Sequence, residues 1–304
     1  MKFENRLIAF FDVLGFAKLL EKKDTNELYK LYKKFIQEIK SEVFQPQETM
    51  KGSKEQEVVN FEKSIVFSDS IILISKEISN IKHINNFILS CISLMNKSTK
   101  NDFPLRGAIG KGDFIYDDED DIFLSSDFAK IYKFEGQQEW CGCSILENTQ
   151  DIVNNSIYGT TEIFNKQSFP LLKYNVPLKE RKSCLDFLFK LLPFLKKESP
   201  KKELMCLNFY YMQSKYEHLK LLDYLKGDEA KQVNTKIFFD FIESLEDDSQ
   251  TLTEDFKPAV KLKTFKTRTS AQIKFEDENG NATDPKIKFT VAFFNEGTVK
   301  ASKL

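Results

Sequence analysis

The sequence predicts an α+β protein. Three observations carry that expectation. A short apolar and aromatic run, RLIAFFD at residues 6–12, has the character of a buried strand. Apolar residues at helical spacing follow it. Strand-like runs then resume on both sides of a second helical pattern, so the order reads β-α-β-β-α-β. The 304 residues exceed what one ordinary domain needs, and a 41% hydrophobic fraction with 29 Phe is ample for a sizeable core.

The elements follow in order. After Gly15 the residues Phe16, Leu19, Leu20, Leu28, Leu31, Phe35, Ile36 and Ile39 repeat at helical spacing. Residues 45–58 are polar and aperiodic, which suits an exposed loop or hairpin tip. Two strands are expected within 59–76, VNFEKSIVF and SIILIS, with Ser68, Asp69 and Ser70 between them as a hairpin turn. Ile81, Ile84, Phe87, Ile88, Cys91, Ile92 and Met95 mark a helix over 79–98. The Gly-rich segment 104–116, PLRGAIGKGDFIY, fits a strand with close backbone neighbours. The acidic run 117–121 reads as a solvated turn, a helix is expected over 125–134, and a short strand over 140–147. This is the split βαβ, ferredoxin-like order. Residues 176–226 are expected to be helical, broken at Pro193 and Pro200, and 234–246 form another helix. Residues 259–300 return to β-prone sequence, with Asn279-Gly280-Asn281 as a hairpin signal.

Charged residues make up 30% of the chain and nearly cancel, to a net of −1. That balance argues against a general nucleic-acid binder but not against a nucleotide substrate, which needs only local cations. The five Cys (Cys91, Cys141, Cys143, Cys184 and Cys206) include no CxxC pair, and no His lies near Cys141 and Cys143. They read as reduced thiols. The beginning MKFENRLIAFF lacks the apolar core of a signal peptide, and no apolar run approaches the length of a membrane helix. The expectation is a cytoplasmic protein without membrane or nucleic-acid partners.

Three constellations carry chemistry. Asp12 stands at a strand end, followed by Val13, Leu14, Gly15 and Phe16 at a helix start. A carboxylate there can ligate a metal ion, the backbone N–H groups of the turn suit a polyphosphate, and Gly15 allows close approach. Asp12 reads equally as an ordinary helix cap. Asp69 lies in the hairpin, where an Asp is also an ordinary turn residue. In a β-α-β-β order the first strand and the hairpin are neighbours, so the two carboxylates can converge. They would repel unless cations lay between them, and two divalent ions can activate a hydroxyl and neutralise a leaving phosphate. Arg106, in RGAIGKG, can fork onto phosphate oxygens or sit beside a tight sheet.

The elements FFDVLGF, FSDS and RGAIGKG occur in the order and with the residue types of the adenylate/guanylate cyclase catalytic domains, the class III nucleotidyl cyclases, and residues 6–150 resemble them. The resemblance implies a ferredoxin-like cyclase core over 1–150. Residues 151–304, outside it, are read from their pattern as a helical and β-strand extension, with completing the domain, capping a dimer and sensing infection all open as its role. It implies that Asp12 and Asp69 hold two ions, Mg²⁺ or Mn²⁺, with the carbonyl of Val13 as a further ligand. Backbone groups of Leu14, Gly15 and Phe16 would meet the β- and γ-phosphates, and Arg106 the phosphate oxygens. The family usually works as a head-to-tail dimer with sites at the interface, so a homodimer acting on a nucleoside triphosphate is expected.

The departures narrow the match. The purine-reading Lys or Glu expected four residues before the second metal Asp is Ile65 here. The Asn and Arg expected after a W-G-D-T-V-type segment fall at Leu146 and Gln150 when that segment is set on EWCGCSI, with Asn148 nearby. The chain is more similar to the bacterial pyrimidine cyclases of the Pycsar anti-phage systems, which make cyclic UMP or cyclic CMP. Lys63, Lys111, Glu139 and Trp140 are weaker candidates for base or phosphate contacts; the first three read first as solvated charges and Trp140 first as a core or interface residue. Three other readings stay open: a catalytically silent nucleotide-binding domain, a palm-type polymerase or diguanylate cyclase relative, and a non-enzymatic interaction protein.

Overall fold

The computed structural model describes residues 2–44, 47–51, 54–58, 61–117, 119–120, 122–154, 170–179, 200–210, 215–245, 263–267, 270–274, 289–293 and 299–303. The first strand, β1 (Lys2–Val13), is the central one. Leu7, Ala9, Phe11 and Val13 fill one side of it and Phe3, Ile8 and Phe10 the other, which is why its sequence is an almost unbroken apolar run. Two helices follow, α1 (Phe16–Lys22) and α2 (Thr25–Ile39). The continuous helical spacing after Gly15 hides the break. Asp24 makes it, its side chain accepting the N–H groups of Asn26 and Glu27 as the cap of α2.

A hairpin of β2 (Gln47–Lys51) and β3 (Lys54–Val58) precedes the one that matters for the site, β4 (Phe61–Phe67) and β5 (Ser70–Ser75). Then come α3 (Ile81–Lys100), the long β6 (Leu105–Asp117), β7 (Ile122–Leu124), α4 (Ser126–Gln137), β8 (Cys143–Ile145) and α5 (Glu147–Asn154). After them β9 (Leu171–Pro177), β10 (Lys201–Leu207), α6 (Lys215–Tyr224) and α7 (Glu229–Glu243) complete this part of the chain.

The strands join in one eight-stranded sheet, ordered β4-β5-β1-β6-β8-β10-β9, with β7 paired to the outer end of β6. Its first four strands with α2 and α3 are the β-α-β-β-α-β order read from the sequence. All neighbours are antiparallel except β6 and β8. One face carries the larger core, from Phe35, Phe87 and Leu94 under α2 and α3 to Trp140, Tyr174 and Phe238 under α7. The other face is covered by α4 over Ile8, Phe10, Ala108 and Phe114. The glycines of β6 let α4 lie this close. A Cβ on Gly110 would come 2.6 Å from Ile131, and one on Gly112 would come 2.2 Å from the Cβ of Asp127.

One expectation is corrected. Residues 176–226 are not helical throughout: β9 reaches Pro177, and Lys201–Leu207 is a strand. Leu204 to Leu207 are buried in an unbroken run, and a short run apolar on both faces has no period to separate strand from helix. Among the described residues of that region the α-helix is confined to Lys215–Tyr224, with a 3-10 turn at Leu225–Gly227 after it. Both strands extend the main sheet past residue 150, which itself falls inside α5.

Met1–Leu245 forms one compact unit and Glu246–Leu304 a second. In the second, β11 (Lys263–Thr267) pairs with β12 (Ser270–Lys274), and β13 (Phe289–Phe293) with β14 (Val299–Lys303). The Asn279–Asn281 turn signal, Pro193 and Cys184 lie outside the described residues. Among the described residues no helix is long and apolar enough to cross a membrane.

Candidate active site

The site forms where β1 ends. Asp12 pairs with Ser70 of β5 on one side and with Arg106 of β6 on the other. The Val13 N–H donates to the carbonyl of Asp69 at 3.0 Å, so the tight turn Ser68-Asp69 is fastened to the same strand end. Ser68 takes the left-handed conformation that this two-residue turn requires, with φ of 53°. Asp12 at the end of β1 and Asp69 in the β4–β5 turn, far apart in sequence, thus stand at one edge of the sheet, joined through the Val13–Asp69 backbone bond.

The acids act on one another through their charges. The Asp12 carboxyl is pushed up to about 7, first by burial, then by the charges of Glu135 and Asp69, with Arg106 and Lys179 opposing. Tyr32, from α2, donates its hydroxyl to the carbonyl of Ser68. Its phenol is pushed up to about 12 by burial and by Asp69 and Asp12. On the other turn, Gly15 adopts φ of 73° and opens α1, while Tyr224 of α6 donates its hydroxyl to the Leu14 carbonyl at 2.9 Å. Leu14 is buried, its N–H bonded to the Pro104 carbonyl, and Phe16 packs its ring on Tyr32.

Arg106 differs from its expectation. Directly paired residues on antiparallel strands point the same way, so Arg106 lies on the face of Asp12. Its guanidinium is buried, however. Nε donates to Glu135 of α4 in a sealed ion pair, and one Nη donates to the Gln138 carbonyl at 3.1 Å. The Gln138 side chain extends the network. Its oxygen accepts from the Trp140 indole N–H at 2.9 Å and the Ser144 hydroxyl at 2.7 Å, and its amide donates to the Gly107 carbonyl at 2.8 Å. Trp140 is therefore a core residue, stacked on Tyr174.

The weaker candidates stand apart from the acid pair. The Lys63 ammonium lies over the Tyr116 ring, 4.4 Å from its centroid. The backbone N–H of Lys111 donates to Thr149, and Glu139 is held through its backbone by Pro177 and Asn234. Leu146 packs against the smaller core, Gln150 bonds the Ile145 carbonyl, and Asn148 is exposed on α5. Cys91, Cys141, Cys143 and Cys206 are buried thiols.

The donor set fits hard divalent cations. Among the described residues no group of three or more His, Cys, Asp or Glu could hold a metal by itself. Glu135 is committed to Arg106. Two carboxylates leave the remaining positions to backbone, water and phosphate oxygens, which is how Mg²⁺ is ordinarily held.

Sequence reasoning missed Glu135, Tyr32, Tyr224 and Lys179. For Glu135 a signal exists, since a strand Arg that folds inward demands a carboxylate. The two tyrosines act through backbone carbonyls and Lys179 through its charge alone, and neither leaves a local motif.

No family model and no curated protein matches the chain. Among solved structures, the catalytic core of a rhodopsin-guanylyl cyclase with converted specificity, in complex with ATPαS, is similar. It shows 9% identity and a TM-score of 0.40, over 68% of this chain and 97% of that one. The guanylate cyclase domain of RhGC from Catenaria anguillulae, in complex with GTP, gives 10% identity and 0.39 over 68% and 97%. A bacterial light-regulated adenylyl cyclase gives 11% and 0.40 over 75% and 57%. At overlaps this low the likeness carries no argument about activity or substrate.

Proposed function

We propose that this chain is a nucleotidyl cyclase, converting a nucleoside triphosphate to a 3′,5′-cyclic nucleotide and pyrophosphate. The observation that carries this is the closeness of Asp12, at the end of β1, to Asp69, in the turn fastened to that strand end, with the Asp12 carboxyl pushed up to about 7 by burial and neighbouring acids. Among the described residues neither carboxylate has an ion pair, and two acids this close are relieved by divalent cations.

In this reading Asp12 and Asp69 hold two ions, Mg²⁺ or Mn²⁺, with the Val13 carbonyl as a further ligand. Bound there, the ions supply Lewis acidity toward the ribose 3′-hydroxyl and the phosphates. The turn Leu14, Gly15 and Phe16 receives the phosphates on its backbone, and the φ of Gly15 sets that backbone's direction. The 3′-hydroxyl gives its proton to water, and the bond from its oxygen to the α-phosphorus forms as the bond to pyrophosphate breaks. Arg106 acts through its charge, which lowers the Asp12 pKa, and through the position it gives Glu135, rather than by reaching a phosphate.

The substrate is proposed to be UTP or CTP, and the setting anti-phage signalling. The apolar Ile65 in place of a purine-reading Lys or Glu supports this, together with the resemblance to the Pycsar cyclases. A homodimer with shared sites is part of the proposal. A second reading, a silent nucleotide-binding domain, is favoured by Leu146 and Gln150 standing where Asn and Arg are expected.

The test is incubation of the protein with Mn²⁺ and ATP, GTP, CTP or UTP singly, with mass spectrometry of the products and Asp69→Ala as control. A cyclic nucleotide from one substrate, absent in the control, is expected. Nucleotide binding without metal-dependent pyrophosphate release would overturn the enzyme reading in favour of the silent one.

A further inference from the structure

The four peptide groups that follow Asp12 are each fastened. The Val13 N–H donates to the Asp69 carbonyl at 3.0 Å, and the Leu14 N–H to the Pro104 carbonyl at 2.9 Å. The Gly15 carbonyl accepts from the Leu19 N–H at 3.1 Å as α1 begins. Between these lies the peptide joining Leu14 to Gly15, and a side chain holds it. The Tyr224 hydroxyl donates to the Leu14 carbonyl at 2.9 Å.

That peptide has two orientations open to it. Turning a rigid peptide plane over changes only the ψ before it and the φ after it, so the three neighbouring bonds survive. Gly15 now has φ of 73° and ψ of 15°. Turning over would carry its φ to about −100°, a conformation any residue can adopt. The orientation held is therefore the one that glycine alone accepts at little cost. Crowding does not explain the glycine. A Cβ there would come no nearer than 3.7 Å to the Tyr224 hydroxyl, an ordinary contact. The plane is also trans, so a Leu14 carbonyl drawn to Tyr224 sends the Gly15 N–H the opposite way, away from α6.

Tyr224 is itself firmly seated. Leu221 and Leu225 beside it are buried in the larger core. Lys220 pairs with Asp102 at 2.7 Å, Glu217 pairs with Lys100 at 3.4 Å, and the Lys18 ammonium reaches from α1 to the Gly227 carbonyl at 3.0 Å. The Tyr224 phenol is pushed up to about 12 by burial and by the charges of Asp102 and Cys141, so it remains a donor at neutral pH.

We propose that Tyr224 is a positioning residue of the active site: it holds the Leu14–Gly15 peptide in the orientation that only glycine tolerates, so that a helix outside the cyclase-like span 6–150 sets the state of the turn. The proposal rests on the cyclase reading, in which this turn works on the substrate, and deepens it by making α6 part of that site. Displacement of α6 would free the peptide to turn over.

The experiment is a double-variant cycle on the full chain, read by thermal melting in chelator. It compares wild type, Tyr224→Phe, Gly15→Ala and the two together, with Tyr216→Phe as a control for an exposed tyrosine on the same helix. Circular dichroism checks that each variant is folded. Gly15→Ala alone should lower Tm by about 2–4 °C, because alanine is forced into a positive φ. Beside Tyr224→Phe the drop should be less than half as large, because the freed peptide can turn over. Beside Tyr216→Phe it should keep its full size. Equal drops with and without Tyr224, or no drop in either, would overturn the proposal.

Turnover gives the second readout. Tyr224→Phe should raise KM as well as lower kcat, with kcat/KM falling by about 10-fold, whereas a mere loss of folded protein lowers kcat and leaves KM. An unchanged KM would remove Tyr224 from the site. Coupled melting without cyclic product from wild type keeps the hold of Tyr224 on the peptide and removes the enzyme. Additive melting with normal product keeps the enzyme and removes that hold.

Discussion

Asp12 and Arg106 face each other across β1 and β6, yet the protein treats them in opposite ways. Arg106 is sealed, its guanidinium matched by Glu135 and the Gln138 carbonyl, with the Gln138 side chain held in turn by Trp140 and Ser144. Asp12 is half-buried beside further acids, with its carboxyl pushed up to about 7. Within one residue pair the sheet passes from a satisfied charge to a frustrated one. Charge satisfied internally supports the fold, whereas charge left unmatched at a strand end is available to a ligand.

The contrast is broken most sharply on the Asp12 side. Asp12→Ala should lower turnover by about 10³-fold or more while leaving circular dichroism unchanged, because the group binds the reaction and not the fold. Near-normal product formation would remove Asp12 from the metal site. The Arg106 side should answer in the other currency. Glu135→Ala strands a buried guanidinium and should cost about 3–5 kcal/mol in urea denaturation. A loss below about 1 kcal/mol would mean that water reaches Arg106.

A third measurement turns on pH. The Asp12 carboxyl, ordinarily near 3.8, is raised to about 7, so the native state keeps a proton that the unfolded chain releases. Its contribution to stability is therefore present at low pH and is lost as pH rises from about 4 to about 7. In chelator, Asp12→Asn should stabilise the protein by about 1–2 kcal/mol at pH 8, discounted for the open side of the site, and by little at pH 4. Mn²⁺ should raise the Tm of wild type more at pH 8 than at pH 6. Equal shifts at both would contradict a proton–metal competition at Asp12. The smallest effect belongs to the turn. Gly15→Ala forces a Cβ into a φ of 73° and should cost about 1 kcal/mol by thermal melting.

Much of this was legible in the chain. The β-α-β-β-α-β order follows from runs whose periodicity changes cleanly, such as SIILIS into the helix at Ile81. The convergence of Asp12 and Asp69 follows from that order alone, since adjacent strands bring their ends together. Where periodicity is silent the reading failed. The unbroken run Leu204–Leu207 looks the same in a strand or a helix, and Asp24 splits α1 from α2 without interrupting the apolar spacing. Arg106 illustrates the other limit, because a Gly-rich strand with one Arg does not say whether the side chain reaches outward or folds in.

Local periodicity and turn chemistry were enough to fix the strands of the first half and the edge that Asp12 and Asp69 share, but not the strands added beyond β6. Packing settled which charges are matched. Glu135 reaches Arg106 from α4, Tyr224 reaches Leu14 across 210 positions, and Lys18 reaches the Gly227 carbonyl at the far end of the same compact unit. Those partners are chosen by packing between elements distant in the chain, and no stretch of sequence records the choice.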